Sequence, residues 1–218
     1  MNALSKIVFS LLLFAAPLTT VANPSPLSAP SSLEYDESDD HIPNMIEDLD
    51  PFDPNVEETL REYDRIYEEE TGISPFIGED PGKTAKCKRN TCGVWVQIVR
   101  STQRLHLYEQ GRLIATWKVS TGKRGYTTPR FDRHPNGRIY DRYTSRKYPG
   151  GDYKGLGNMP YAVFIQGGFA VHGTPRSNWS KLGKPASHGC IRLHPDNAYQ
   201  LNRLIRRYGV SDSWFTVQ

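Results

Sequence analysis

A cysteine attacks a carbonyl as its thiolate, and a free thiol with a pKa near 8.5 is only about 3% ionised at pH 7. Cys190 lies in the run Ser187-His188-Gly189-Cys190-Ile191-Arg192-Leu193, and His172 opens the upstream run His172-Gly173-Thr174-Pro175. An imidazole beside such a thiol takes its proton and stabilises the anion, the arrangement that nucleophilic acyl transfer needs. Two histidines are candidates. His188 is two residues from Cys190, so an extended chain turns both side chains the same way without good hydrogen-bonding geometry. His172, from a neighbouring strand end, can approach the sulfur laterally and is the expected base. Gly189 has no side chain to keep a substrate from the backbone, so the N–H groups of Gly189 and Cys190 are the expected oxyanion donors. Arg192 can pair with a substrate carboxylate. A zinc site of His172, His188 and Cys190 is chemically possible, and spacing alone does not exclude it.

These residues need rigid elements beneath them. From Gly93 onward the pattern is that of strands: Val94 to Val99, Arg104 to Tyr108 and Arg112 to Val119, the last two joined as a hairpin at Glu109-Gln110-Gly111. Further strands are expected at Tyr161 to Gln166, Phe169 to His172 and Trp214 to Val217, with Gly167-Gly168 turning between the first two. One helix interrupts them: Pro195 fits its first turn, Ala198, Leu201, Leu204, Ile205 and Tyr208 its buried face, and Gly209 its end. The long basic stretch between Gly122 and Pro160, rich in Gly and Tyr, has the character of a binding loop or lid.

With 218 residues the chain has room for one full-sized domain and an appendage. Residues 1–22 read as a secretory signal peptide: Lys6, an apolar run from Ile7 to Ala16 that is too short to span a bilayer, and small residues before a cut after Ala22. Residues 23–54, rich in Pro, Ser and acids, are expected to be disordered. Residues 55–86 read as a short helix and linker. Val56, Leu60, Tyr63 and Tyr67 recur at helical spacing, Asn55 with Glu58 fits a capping box, and Gly72 fits the helix end. Residues 87–218 make the domain proper. In an oxidising compartment Cys87 and Cys92 can close a small disulfide loop, and Cys190 is left over.

The net charge of +3 conceals an asymmetry: residues 23–80 carry 18 acidic against two basic side chains, and residues 81–218 carry 24 basic against six acidic ones. An intramolecular contact between acidic arm and basic domain is therefore expected, weakened by screening over roughly 8 Å at physiological salt.

The runs at His172 and Ser187–Leu193 resemble the signature of the YkuD-type L,D-transpeptidases. The resemblance extends over roughly Val94 to Val217 and takes in Val119-Ser120-Thr121-Gly122, Thr128-Pro129, Met159-Pro160-Tyr161 and the helix with Asp196-Asn197-Ala198. It implies a mostly β, sandwich-like catalytic domain with one or two short helices, α+β being the fallback. It also implies an exported, periplasmic enzyme of cell-wall biogenesis that acts on peptidoglycan stem peptides and is acylated by carbapenems. On that resemblance, Cys190 attacks the bond between diaminopimelate and the terminal D-alanine of a tetrapeptide. The thioester then passes to an amine, in a cross-link or on an anchored lipoprotein or outer-membrane protein, or to water in an L,D-carboxypeptidase or a hydrolase that releases wall-linked protein. His172 relays the proton and the Gly173 carbonyl orients its ring. Ser187, His188 and Arg192, with Met159 and Tyr161, shape the donor site. No cofactor, metal or nucleic acid is called for. One departure is Arg130, where the family commonly has Gly after the Thr-Pro pair.

Overall fold

A computed structural model describes residues 49–77, 87–145, 147–148 and 150–218 of the protein. The expected signal peptide, most of the expected disordered segment and the linker beyond residue 77 lie outside the described residues.

The first helix, α1 (Val56–Thr71), forms where the apolar spacing predicts, burying Val56, Leu60 and Tyr67. The expected capping box is absent: Asn55 stands at the N-cap but makes no side-chain cap. Its own N–H instead donates to Asp53 Oδ1 at 2.8 Å, so an aspartate just before the helix supplies the local acceptor. Gly72 ends the helix at φ +65°, a left-handed conformation that favours glycine.

Among the described residues, eight strands follow, with one further α-helix. The strands β1 (Val94–Val99), β2 (Arg104–Glu109) and β3 (Arg112–Lys118) form an antiparallel meander. Its β2–β3 turn places Gln110 and Gly111 both at positive φ. The short β4 (Phe131–Arg133) lies inside the basic stretch that sequence periodicity reads as loop. Strands β5 (Val163–Gln166) and β6 (Phe169–Gly173) make the second hairpin, and β7 (Ile191–Leu193) pairs parallel to β6. Helix α2 (Pro195–Tyr208) precedes β8 (Ser213–Val217). The large sheet has the order β3-β2-β1-β8-β4, with β1 and β8 parallel, and the small sheet has the order β5-β6-β7.

The small sheet is buried on both faces, and that places the site. Val163, Ile165, Val171, Ile191 and Leu193 join one core with Val94, Val96, Ile98 and the α2 residues Leu201 and Ile205. Phe164 and Ala170, from the alternate positions, join a second core with Leu60 and Tyr67 of α1 and with Tyr140 and Tyr143. Helix α1 is thus a structural layer of the domain. Asp64 on its buried face accepts a hydrogen bond from Tyr140 and one from Arg138 Nε at 2.9 Å, while Glu57 pairs with Arg138 at 2.8 Å. Arg142 pairs with Glu70 and Lys147 with Asp50.

The Cys87–Cys92 pair forms a disulfide around the turn Arg89–Thr91, ahead of β1. Among the described residues, the one cluster of three side chains of metal-ligating type is Cys87, Cys92 and His134. Both of its sulfurs are tied in the disulfide, which leaves no thiolate to hold an ion.

Candidate active site

The parallel register of β6 and β7 pairs His172 with Arg192. Side chains two residues apart on an extended chain share a face, so Cys190, just ahead of β7, falls on the same side as both. That side is opposite to Val171 and Ile191, which face the first core. Cys190, His172 and Arg192 accordingly line one cavity, together with Ser187, His188 and Met159.

His172 is 4% exposed, and its Nδ1 lies 2.6 Å from the Gly173 carbonyl oxygen. A carbonyl only accepts, so Nδ1 carries the proton and Nε2 keeps its lone pair. Burial lowers the imidazole pKa to about 3, with the nearby Arg192 cation adding to the shift and the Gly173 carbonyl opposing it. Burial likewise raises the Cys190 thiol to about 11, against a backbone hydrogen bond and the Arg192 charge, which both favour the thiolate. Sγ lies 3.3 Å from the Gly168 carbonyl, to which a neutral thiol can donate. At pH 7 both groups are therefore uncharged. A neutral imidazole can accept the proton of a neutral thiol.

Arg192 donates from Nη1 to the Ala186 carbonyl at 3.2 Å. It forms no salt bridge among the described residues, and burial lowers its pKa. A half-buried guanidinium without a carboxylate partner is able to pair with an incoming anion. His188 stacks on Tyr148 with ring centroids 4.1 Å apart and meets the edge of Tyr126 at 4.9 Å. It is a wall of the cavity, with a pKa lowered by burial and by Lys123.

The Gly189 N–H does not point into free space as the oxyanion expectation requires: it donates to Ser187 Oγ at 3.2 Å. The Ser187 hydroxyl in turn donates to the Cys190 carbonyl. Gly189 itself has φ +116°, and a Cβ there would come within 2.9 Å of the Phe52 ring.

Met159 lines the cavity, but Tyr161 does not: its ring packs in the first core against Tyr199, with centroids 5.1 Å apart. The tyrosine's apolar body is better accommodated there than at a polar pocket. Sequence reasoning missed Leu49 and Pro51, which close the cavity from the N-terminal side, and Ser145, Tyr148 and Asn158 from the basic stretch. The Asn158 amide oxygen accepts from Ser145 N–H at 2.9 Å and so ties the middle of that stretch to its C-terminal end. Leu49 and Pro51 sit in an acidic segment whose composition gave no sign of packing. Tyr148 lay in a stretch whose Tyr content was the available signal.

A mostly β domain that brings a half-buried thiol, a neutral imidazole and a guanidinium without a carboxylate partner into one cavity is an architecture suited to acyl transfer. The L,D-transpeptidase catalytic domain model named YkuD matches residues 93–209, and the chain belongs to that family. It is 30% identical over 106 residues to the YkuD protein of Bacillus licheniformis, covering 46% of this chain and 53% of the relative. The chain thus spans about half the length of the curated relative it matches. Among solved structures, an L,D-transpeptidase from Mycobacterium smegmatis aligns with TM-score 0.46 at 23% identity, over 58% of this chain and 59% of that one. One from Stackebrandtia nassauensis aligns with TM-score 0.47 at 24% identity, over 63% and 62%. An L,D-transpeptidase in complex with imipenem aligns with TM-score 0.46 at 25% identity, over 58% and 59%.

Proposed function

We propose that the protein is a peptidoglycan L,D-transpeptidase that works through a thioester on Cys190. The observation that carries this reading is the shared cavity of Cys190 and His172, with Nδ1 of His172 committed to the Gly173 carbonyl so that Nε2 is the ring's proton acceptor. Sγ attacks the carbonyl carbon of diaminopimelate as Nε2 takes the thiol proton. The tetrahedral oxyanion accepts from the Cys190 N–H, since that of Gly189 is engaged by Ser187. Collapse breaks the C–N bond, His172 returns the proton to the leaving amine, and D-alanine departs. An acceptor amine then attacks the thioester, giving its proton to His172, and the thiol is restored.

Arg192 is the partner for a carboxylate of the donor stem peptide, and His188, Met159 and Ser187 frame the donor site. The acceptor is a second diaminopimelate side chain or a lysine of an anchored protein. The reading places the enzyme in the cell envelope of a bacterium, exported by residues 1–22; the Cys87–Cys92 disulfide suits an oxidising compartment. The acidic arm is proposed to restrain substrate binding. Its support is the ion pair of Asp50 with Lys147 and the position of Leu49 and Pro51 at the cavity.

Mass spectrometry of products from purified tetrapeptide muropeptides, with and without an amine acceptor, tests the reaction. Cross-linked dimers support transpeptidation; tripeptides alone, with acceptor present, mean that water resolves the thioester; unchanged substrate overturns the proposal.

A further inference from the structure

We infer that Thr128, fully buried outside the cavity lining, is a positioning residue that aims and strengthens the oxyanion donor at Cys190. The inference rests on the acyl-transfer reading above.

A peptide unit is planar, and in the trans form its C=O and N–H point in opposite directions. The Gly189 carbonyl and the Cys190 N–H belong to one such unit, and no peptide bond among the described residues is cis. The Thr128 hydroxyl donates to that carbonyl at 2.6 Å. The same oxygen accepts from Gly122 N–H at 2.9 Å, so its own proton is directed at Gly189. Gly122 is in turn fixed by its bridge to Ser187. The carbonyl end of the unit is therefore held from a rigid buried point, and the direction of the N–H end follows from planarity.

Two further observations make that N–H the donor that matters. The Gly189 N–H is engaged by Ser187 Oγ at 3.2 Å. The Cys190 N–H lies ahead of the β6–β7 ladder, which begins at Ile191, and it donates to no acceptor among the described residues. A hydrogen bond onto the carbonyl also polarises the amide and makes its N–H a stronger donor. Glycine is needed at 189 because its φ of +116° is one that L side chains rarely adopt, and the peptide unit that follows it is held by the Thr128 hydrogen bond.

The test separates oxyanion stabilisation from thiol reactivity. Acylation of Cys190 by a carbapenem passes through a tetrahedral oxyanion, whereas alkylation by iodoacetamide at pH 9 is a displacement at carbon with none. Both rates are measured on the same samples of wild type, Thr128→Val, Thr128→Ala and Thr128→Ser, each first shown to be folded by near-UV circular dichroism because unfolded chains alkylate without acylating, and the readout is the ratio of the two rate constants. Thr128→Val and Thr128→Ala should lower the ratio about 10- to 100-fold, below the 10²–10³ lost when an oxyanion donor is removed outright. Thr128→Ser, which keeps the hydroxyl, should restore it to within about threefold of wild type, since one hydroxyl is exchanged for another. A ratio unchanged in Val and Ala variants, or one that serine fails to restore, overturns the inference alone. Wild type that alkylates but never acylates refutes the acyl-transfer reading itself.

Discussion

The resting charge state of the thiol makes the sharpest prediction. With Cys190 raised to about 11, its thiolate fraction at pH 7 is about 10⁻⁴, against about 3 × 10⁻² for a free thiol of pKa near 8.5. Alkylation by iodoacetamide at pH 7 should therefore be about 300-fold slower than that of a free cysteine, because the thiolate is the nucleophile. Its rate should rise tenfold per pH unit from 7 to about 10, with one inflection near 11. His172 is neutral through the whole of that range, since its pKa of about 3 lies far below it. His172→Ala should accordingly leave the alkylation curve within about threefold, while carbapenem acylation falls on the order of 10²–10⁴, the range for a lost general base. The assay is intact-mass labelling over pH 4–11 on both proteins. A plateau of fast labelling between pH 4 and 7 that vanishes in His172→Ala would refute the reasoning, because it would reveal a standing thiolate–imidazolium pair.

Three further outcomes are expected. Arg192→Gln should raise KM for the donor peptide about 10- to 100-fold, the loss of one charge-assisted hydrogen bond, and steady-state kinetics read it. Stability should fall as pH drops from about 6.5 to about 3. His172 binds its proton readily when unfolded and reluctantly when folded, so the unfolded state takes up the extra proton. At pH 4 that single group removes on the order of 3 kcal/mol, and urea unfolding of His172→Gln should show a pH dependence shallower by that amount. Removing residues 1–54, and with them Leu49 and Pro51 from the cavity wall, should raise donor kcat/KM and flatten its dependence on salt; unchanged values of both would sink the restraining role of the arm.

Much of the fold was legible because its signals are local. The strand Val94–Val99 alternates buried and half-buried positions, and α2 carries Pro195 in its first turn and Gly209 just past its end. The short strands β4 and β7 were not read as strands. At three residues each they carry no period, and they exist because β8 and β6 offer them partners. Helix α1 was legible as a helix but not as a layer of the domain: that role depends on Asp64 meeting Arg138 and Tyr140, more than seventy residues away. At the site, Cys190, His172 and Arg192 stood out by type and spacing. The oxyanion expectation at Gly189 went astray because Ser187 Oγ, two residues back, intercepts that N–H. Thr128 sat in plain view in a Thr-Pro pair, yet its reach to Gly189 depends on the packing of Gly122 beside Ser187.

The central claim is a covalent acyl-enzyme on Cys190. Wild type and Cys190→Ser are mixed with a disaccharide tetrapeptide, quenched in acid, and analysed by intact mass and peptide mapping. The account predicts a thioester adduct, smaller than the donor by one D-alanine and mapped to Cys190, in wild type alone. Turnover without any adduct at Cys190, or undiminished turnover by Cys190→Ser, would contradict it.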